Sequence, residues 1–229
     1  MTDDVVLLLG SGRRPYREYL LQGLARHSAL WLIDDRPPTW QRSYVVGHSV
    51  VPPLDDAGIV ADQRRLTDAA LGLAADRKIS GVATYDELQV TAAAYVAEEL
   101  GVRGLTVAGA VNCRDKARTR DALTAAGLPQ PGYAVVHDLA HAIAAADRIG
   151  YPVVAKPRGM GMSVGVTRAD GPAQLGAAFG LAERACKSGP PSYADGVLIE
   201  ECVEGPEISV DGVVCDGQYR PFCLARKQL

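Results

Sequence analysis

The chain has 229 residues, of which 48% are hydrophobic, 22% charged and 6% aromatic. This composition is typical of a globular protein with an aliphatic core and excludes a disordered polymer, and at roughly 100–200 residues per domain the length fits one large or two small domains. The 24 Lys and Arg residues against 27 Asp and Glu residues give a net charge of −3, which argues against a basic nucleic-acid-binding surface and predicts no nucleic-acid partner.

Three features predict the compartment. No apolar run approaches the roughly 18–20 residues of a membrane span, which predicts no membrane partner. The first residues are acidic, whereas a signal peptide begins with basic residues. The five cysteines form no CxxC pair, and their odd number argues against a disulfide framework. We therefore expect a cytoplasmic protein with reduced thiols.

Along the first 110 residues, short aliphatic runs alternate with helical stretches. The run at residues 5–9 is continuously apolar, as in a strand that is buried on both faces, and it ends at a Gly-Ser-Gly turn. Further strands are predicted at residues 29–33, 50–51 and 81–84, and helices at residues 17–26, 62–77 and 88–100. The pattern predicts a doubly wound parallel sheet with crossover helices.

Beyond residue 110 the pattern changes to shorter strands between alanine-rich helices. Helices are predicted at residues 114–126, 139–149 and 173–186, and strands at residues 133–136, 153–156, 164–168 and 197–201. The last stretch, residues 207–214 and 219–225, is joined by Asp-Gly and predicts an antiparallel hairpin.

The strongest functional signal lies in one strand and the loop that follows it. Lys156 ends a predicted buried strand, where a lysine is costly without an anionic partner. The loop after it holds four small residues, namely Gly159, Gly161, Ser163 and Gly165. Glycines let backbone N–H groups approach phosphate oxygens, so the pattern indicates an anion site. The alternative is an ordinary hairpin loop with a lysine that reaches solvent.

The order of these features excludes three common nucleotide motifs. A Walker loop needs Gly-Lys followed by Ser or Thr, and this triplet is absent. A protein kinase places its glycine loop before the strand lysine and carries HRD and DFG triplets, whereas here the loop follows the lysine and neither triplet occurs. Pro15 stands where the dinucleotide fingerprint needs its third glycine, which speaks against a dinucleotide-dependent oxidoreductase.

Two further blocks complete a recognisable order. Lys116 opens a predicted helix upstream of Lys156, and four carboxylates follow near a strand end, at Glu200, Glu201, Glu204 and Glu207. With these blocks in this order, the chain resembles the ATP-grasp superfamily of carboxylate–amine ligases, of the amino-acid ligase type. The resemblance covers about residue 112 to the end, and the first domain is similar to the Rossmann-like domain that leads the grasp in that family.

The resemblance implies a role for each block. Lys116 and Lys156 match the two lysines that grip the ATP phosphates, and the glycine loop matches the flap that closes over them. Glu207 matches the carboxylate that binds the ribose hydroxyls. The hinge whose backbone pairs with adenine matches Glu200, Glu201, Cys202 and Val203. No catalytic residue is assigned.

The resemblance also implies a reaction and its cofactors. A substrate carboxylate attacks the γ-phosphate of ATP, and an amine displaces phosphate from the acylphosphate to form an amide or dipeptide bond. Small-molecule carboxylates and amines are the implied partners. ATP and Mg²⁺ are the implied cofactors, with the magnesium ligands expected beyond residue 229 and no metal ligand within the chain.

The implied fold class is α/β, a Rossmann-like domain followed by an incomplete ATP-grasp (α+β) module. Its parts are a leading domain at residues 1–110, a first grasp subdomain with the lysines and flap at 111–200, and the start of the second subdomain at 201–229. We therefore expect either a segment of a longer ligase or a naturally short chain, inactive alone. It forms a homodimer through the last hairpin or has a missing C-terminal partner or segment.

Several alternatives stay open. The chain is a non-catalytic nucleotide-binding module, or a carbamoyl-phosphate-synthase-like or purine-pathway member of the superfamily. Arg13 and Arg14 meet a substrate carboxylate or are surface charge, and residues 85–87 contact a substrate or another domain, or only begin a helix. His137 and His141 have a zinc-helix spacing but lack a third ligand, which favours surface imidazoles. For Lys156→Ala we expect weaker ATP binding with little change in thermal stability.

Overall fold

The computed structural model describes residues 4–52, 63–189 and 193–227, and the strands within them form three sheets. The strands are β1 (Val5–Leu9), β2 (Leu30–Asp34), β3 (Gly47–Val50), β4 (Ile79–Ala83), β5 (Tyr133–Val136), β6 (Val153–Pro157), β7 (Thr167–Ala169), β8 (Val197–Glu201), β9 (Ile208–Cys215) and β10 (Gln218–Arg226). The helices are α1 (Arg14–Ala25), α2 (Gln63–Ala74), α3 (Val90–Glu99), α4 (Val107–Arg114), α5 (Lys116–Ala125), α6 (Leu139–Ile149) and α7 (Pro172–Ser188).

The first sheet is parallel throughout, with the strand order β3-β2-β1-β4. Side chains alternate across β1, so that Leu7 joins a core with α2 and α3 while Leu8 joins a second core with Leu21 of α1. Both faces of the sheet are thus covered by helices, which is why β1 is apolar without interruption. The predicted doubly wound parallel sheet is confirmed.

The second sheet is antiparallel, with the order β5-β8-β6-β7. One face packs on α6 and α7, where Val153, Ala155 and Ile199 are completely buried. Alternation along β6 and β8 directs the side chains of Lys156 and Glu200 to the opposite face. The sheet therefore has one hydrocarbon face for stability and one charged face.

The structure differs from the predicted elements at two places. The helix expected at residues 114–126 is α5, but α4, which precedes it, was not predicted; Asp115 separates the two helices with an extended backbone, and its carboxylate accepts from Ala117 N at 2.9 Å to cap α5. The strand expected at 164–168 is displaced to β7, because Met162, Ser163 and Gly165 have positive φ angles of 53°, 58° and 71°. A strand cannot include that backbone conformation.

The remaining boundaries lie within three residues of the predicted ones, but β3 overlaps the strand expected at residues 50–51 only at Val50. The helix start expected at residue 62 lies outside the described residues. β9 and β10 form the predicted antiparallel hairpin, joined at residues 216–217. The five cysteines are free thiols. Within the described ranges, no helix is both long and apolar enough to cross a membrane.

Candidate functional site

A buried ion triad occupies the charged face of the second sheet. Lys156 Nζ contacts a carboxylate oxygen of Glu200, and Arg120 of α5 donates from Nε to Glu200 Oε1 at 2.8 Å. Glu200 is only 4% exposed. The lysine at the strand end thus has the anionic partner that its position requires, and the partner belongs to the protein itself.

The triad sets the protonation state of its carboxylate. Burial raises the pKa of Glu200, but the hydrogen bonds and charges of Arg120 and Lys156 outweigh burial, so its pKa lies below the ordinary value. Glu200 is therefore a carboxylate at neutral pH. Removing Lys156 leaves this buried anion with fewer partners, so the structure predicts a loss of stability for Lys156→Ala in place of the small change expected from the sequence.

The second predicted lysine lies beside the first and under the glycine loop. Lys116 Nζ donates to the backbone oxygens of Met160 at 2.5 Å and Arg158 at 3.3 Å. Burial, and next the charge of Lys156, lower the pKa of Lys116. The two ammonium groups therefore lie within electrostatic reach of each other, an arrangement that a polyanion stabilises.

The glycine loop connects β6 to β7 and has a tightly wound backbone. Two turns close it, with Val164 N donating to Gly161 O and Val166 N to Ser163 O, both at 3.2 Å. Ser163 is at the exposed tip. Two features require glycine at position 165. The φ angle of Gly165 is +71°, and a methyl group there would lie 2.5 Å from Ala185 Cβ.

The base of the loop is held by three consecutive residues at the corner between α4 and α5. Arg114 Nη2 donates to Gly159 O at 3.0 Å, Asp115 pairs with Arg158 and accepts from its Nε at 3.1 Å, and Lys116 N donates to Arg158 O at 3.1 Å. Burial raises the pKa of Asp115, but the bond and charge of Arg158 outweigh this and lower it. We call residues 114–116 the corner.

The corner also contacts the first sheet's domain through Glu87, which follows β4. Glu87 pairs with Arg114, whose side chain is 8% exposed, and a methyl group built at Gly161 would lie 3.0 Å from Glu87 Oε2. Its neighbour Asp86 accepts from Leu88 N at 3.0 Å and so begins the short 3₁₀ helix Glu87–Gln89. Of the two interpretations left open for residues 85–87, a domain contact holds for Glu87 and a helix start for Asp86.

The hinge residues follow β8. Glu201 N donates to Gly132 O at 2.8 Å and Cys202 N to Pro152 O at 3.1 Å, so both backbone donors are used within the protein. Val203 is 70% exposed, and none of the described residues accepts from its N–H. Glu207 pairs with Lys227 at the base of the last hairpin.

The structure thus gathers part of the predicted set into one cluster. Brought together are Lys116, Lys156, Gly159, Gly161 and Glu200. Ser163 and Gly165 lie farther along the loop, Glu201 and Val203 lie at the hinge, and Glu207 lies at the base of the last hairpin. Sequence reasoning missed three participants, namely Arg114, Arg120 and Arg158, whereas Glu87 belongs to the residues 85–87 that it considered for a domain contact. Arg120 alone had a usable signal, because it lies one helical turn after Lys116 on the same face of α5.

The two candidate histidines form ion-pair contacts at the protein surface. His137 contacts Asp195, and His141 contacts Asp138, each at 2.8 Å with exposed rings, in agreement with surface imidazoles. Over residues 4–52, 63–189 and 193–227, no group of three or more His, Cys, Asp or Glu side chains has the arrangement of a metal site.

Part of the chain matches the model of a known protein family. Residues 149–223 match the family model of the ATP-grasp domain, and this segment runs from β6 through the glycine loop and the hinge to β10. This segment is similar to the ATP-grasp domain, in agreement with the resemblance that the sequence indicates.

The relatives are ligases of amino acids. D-alanine–D-alanine ligase B of Xanthomonas campestris pv. campestris is 39% identical over 110 residues, which cover 47% of this chain and 32% of that protein. Alanine–anticapsin ligase of Bacillus subtilis is 29% identical over 162 residues, which cover 64% of this chain and 34% of that protein. The matched part spans about a third of the length of these two relatives.

Solved structures share the fold. An L-amino acid ligase from Bacillus licheniformis superposes with a TM-score of 0.76 at 20% identity, covering 99% of this chain and 51% of that one. The N5-carboxyaminoimidazole synthetase from Staphylococcus aureus complexed with ADP superposes with a TM-score of 0.71 at 14% identity, covering 98% of this chain and 55% of that one. The predicted fold class is therefore confirmed.

Proposed function

We propose that this chain binds ATP on the charged face of the second sheet and is the nucleotide-binding part of a carboxylate–amine ligase. The observation that carries the proposal is the convergence of Lys116 and Lys156 beneath the glycine loop. The two ammonium groups are partly buried, and they do not each have a carboxylate partner of their own. This favours a polyanionic ligand such as a triphosphate.

Each part of the nucleotide has a fitting group. Lys116 and Lys156 supply point charges for phosphate oxygens, and the backbone N–H groups of the glycine loop supply donors. The free N–H of Val203 is a donor for adenine. Glu207 is an acceptor for the ribose hydroxyls, and its ion pair with Lys227 breaks when it binds the sugar.

The chain's own residues position the nucleotide rather than perform chemistry. Glu200 and Arg120 hold Lys156 in one orientation, and the corner holds the loop's base, so the site is organised before the ligand arrives. Bound Mg²⁺ supplies charge neutralisation at the phosphates. Its ligands remain a proposal for residues outside this chain.

The substrates we propose are a small carboxylic acid and an amine, joined through an acylphosphate into an amide or dipeptide bond. The amino-acid ligases among the relatives favour this over a purine-pathway reaction. A non-catalytic nucleotide-binding module is the second candidate, because no catalytic residue is assigned. A cytoplasmic location remains a prediction.

We also propose that the last hairpin pairs with another chain or segment. Its residues are mostly exposed on both faces, and Val214, Phe222 and Leu224 are about 70% exposed. Such an apolar strand pair associates readily in water. A homodimer and a C-terminal partner are the two arrangements to distinguish.

Calorimetry with ADP, with and without Mg²⁺, tests the nucleotide site, with NAD as the competing ligand. Lys116→Ala removes a charge-assisted hydrogen bond of about 1.5–3 kcal/mol, which lowers ADP affinity roughly 10- to 150-fold. Lys187→Ala is the matched control, because that exposed lysine pairs with Glu183 on its own helix. Binding of NAD without any response to ADP would overturn the proposal.

A further inference from the structure

A carboxylate of the first domain lies against the glycine loop of the second sheet. Glu87 begins the 3₁₀ helix that follows β4. One of its oxygens, Oε1, pairs with Arg114 Nη1. The other, Oε2, is the nearest atom to a methyl group built at Gly161, at 3.0 Å. One side chain therefore contacts both the corner and the loop, although it belongs to neither.

The arginine that Glu87 contacts is almost fully desolvated. The Arg114 side chain is 8% exposed. Its Nη2 donates to Gly159 O at 3.0 Å, and its Cζ lies 6.0 Å from the centroid of the Tyr193 ring. Of these three partners, only Glu87 has a negative charge. A buried cation is costly without an anionic partner, so Glu87 stabilises the guanidinium in this position.

Close packing restricts the backbone at both ends of the segment Gly159–Gly161. A methyl group at the first residue would overlap the ring of Tyr193, and a methyl group at the last would approach Glu87. The hydrogen bond from Arg114 holds the same segment from the side of the corner. The path of the loop's first half therefore depends on Glu87 twice, by direct contact and through Arg114.

The charge of Glu87 acts on the nucleotide site in the opposite sense. Burial, and next the charge of Lys156, lower the pKa of Lys116, and the charge of Glu87 opposes this lowering. Glu87 is thus within electrostatic reach of an ammonium group that we assign to phosphate oxygens. A carboxylate at that range repels a phosphate. By charge alone, a neutral residue at position 87 would strengthen nucleotide binding.

We propose that Glu87 is a positioning residue of the nucleotide site: it holds Arg114 and the backbone at Gly161, and so keeps the N–H groups of the glycine loop where a phosphate binds. It acts through the loop and not by contact with the nucleotide. The inference rests on the proposed function for the identity of the ligand, whereas the restraint on the loop needs no nucleotide. The first domain thereby contributes to a site that lies on the second sheet.

Calorimetry with ADP and with adenosine tests this role. Glu87→Ala should weaken ADP binding about 3- to 10-fold, because a hydrogen bond that orders the loop is lost. It should leave adenosine binding unchanged, because adenosine has no phosphate for the loop to bind. Glu87→Gln keeps an oxygen that accepts from Arg114 and should bind ADP at least as tightly as the wild type. Glu18→Ala is the matched control, because Glu18 pairs with an arginine within α1.

Two further measurements separate positioning from folding. Arg114→Lys keeps the charge but loses the fork that joins Glu87 to Gly159 O. The double variant with Glu87→Ala should therefore bind ADP no more weakly than either single variant. Without nucleotide, hydrogen exchange at Val164 N, which donates to Gly161 O at 3.2 Å, should be about 3- to 10-fold faster in Glu87→Ala.

The outcomes separate this role from the proposed function. Equal or tighter ADP binding by Glu87→Ala would mean that its charge dominates and overturns the proposal. Additive losses in the double variant, or equal losses for ADP and adenosine, overturn it as well. A wild-type chain that binds no ADP overturns the proposed function instead. Faster exchange in Glu87→Ala would then still support the restraint on the loop, and unchanged exchange would refute it.

Discussion

Lys156→Ala is the most informative single substitution, because Lys156 has a structural partner as well as a proposed ligand. Its side chain is 16% exposed and that of Glu200 is 5% exposed. Breaking a buried ion pair from one side costs about 3–5 kcal/mol. Arg120 still holds the carboxylate at 2.8 Å, so we expect the lower end, about 3 kcal/mol. At roughly 2–4 °C per kcal/mol for this chain length, Tm falls by about 6–12 °C.

The pH dependence has a defined sign. Because the folded-state pKa of Glu200 is lowered, its contribution is fully present above the ordinary pKa of 4.5 and is lost as the pH falls through the lower folded value. Without Lys156 the pKa of Glu200 rises, so the remaining contribution is lost at a higher pH. Urea unfolding of both proteins, at neutral pH and at several acidic pH values, measures this shift.

A double variant separates the two roles of the lysine. Lys156→Met with Glu200→Gln removes both charges at similar volume but leaves Arg120 without its carboxylate partner, so we expect part of the stability to recover, while ADP affinity remains about 10- to 150-fold below wild type. Recovery of ADP affinity together with stability would mean that Lys156 only supports the fold. Unchanged stability of Lys156→Ala would refute the reasoning about the triad.

Further outcomes follow from the loop and the hairpin. ADP affinity should fall as the pH rises through the lowered pKa of Lys116, below the ordinary lysine value of 10.5, and Lys116→Arg should flatten this profile in calorimetry. Gly165→Ala should lower the free energy of unfolding by roughly 1–3 kcal/mol, whereas Gly23→Ala, in a helix with open space around it, should raise it. Phe222→Lys should shift sedimentation toward the monomer, and an unchanged distribution excludes the hairpin as the contact. Phosphate release from ATP should be absent for the chain alone with any amino acid, and sustained turnover would contradict that.

The sequence predicted helices and strands correctly where the hydrophobic pattern of a short segment determines its secondary structure. α6 and β8 have the predicted bounds, because an alanine-rich amphipathic run and a short apolar run each allow one solution. The errors are α4, which was not predicted, and the strand expected at residues 164–168, where the positive φ angle of Gly165 excludes extended structure. The pairing of Glu200 with Arg120 was not predicted, since it joins residues far apart in sequence and depends on the register of β8.

The corner between α4 and α5 has a consequence for how this chain tolerates change. Its three adjacent residues each reach a different partner at the base of the glycine loop. One residue inserted or deleted in either flanking helix turns everything beyond it by about 100° and shifts it by about 1.5 Å. Such an indel separates all three contacts at once, whereas a substitution loses only one. The number of residues in α4 and α5 is therefore more constrained than the identity of each residue. Mutant libraries of this region should keep the number of residues fixed and vary the side chains.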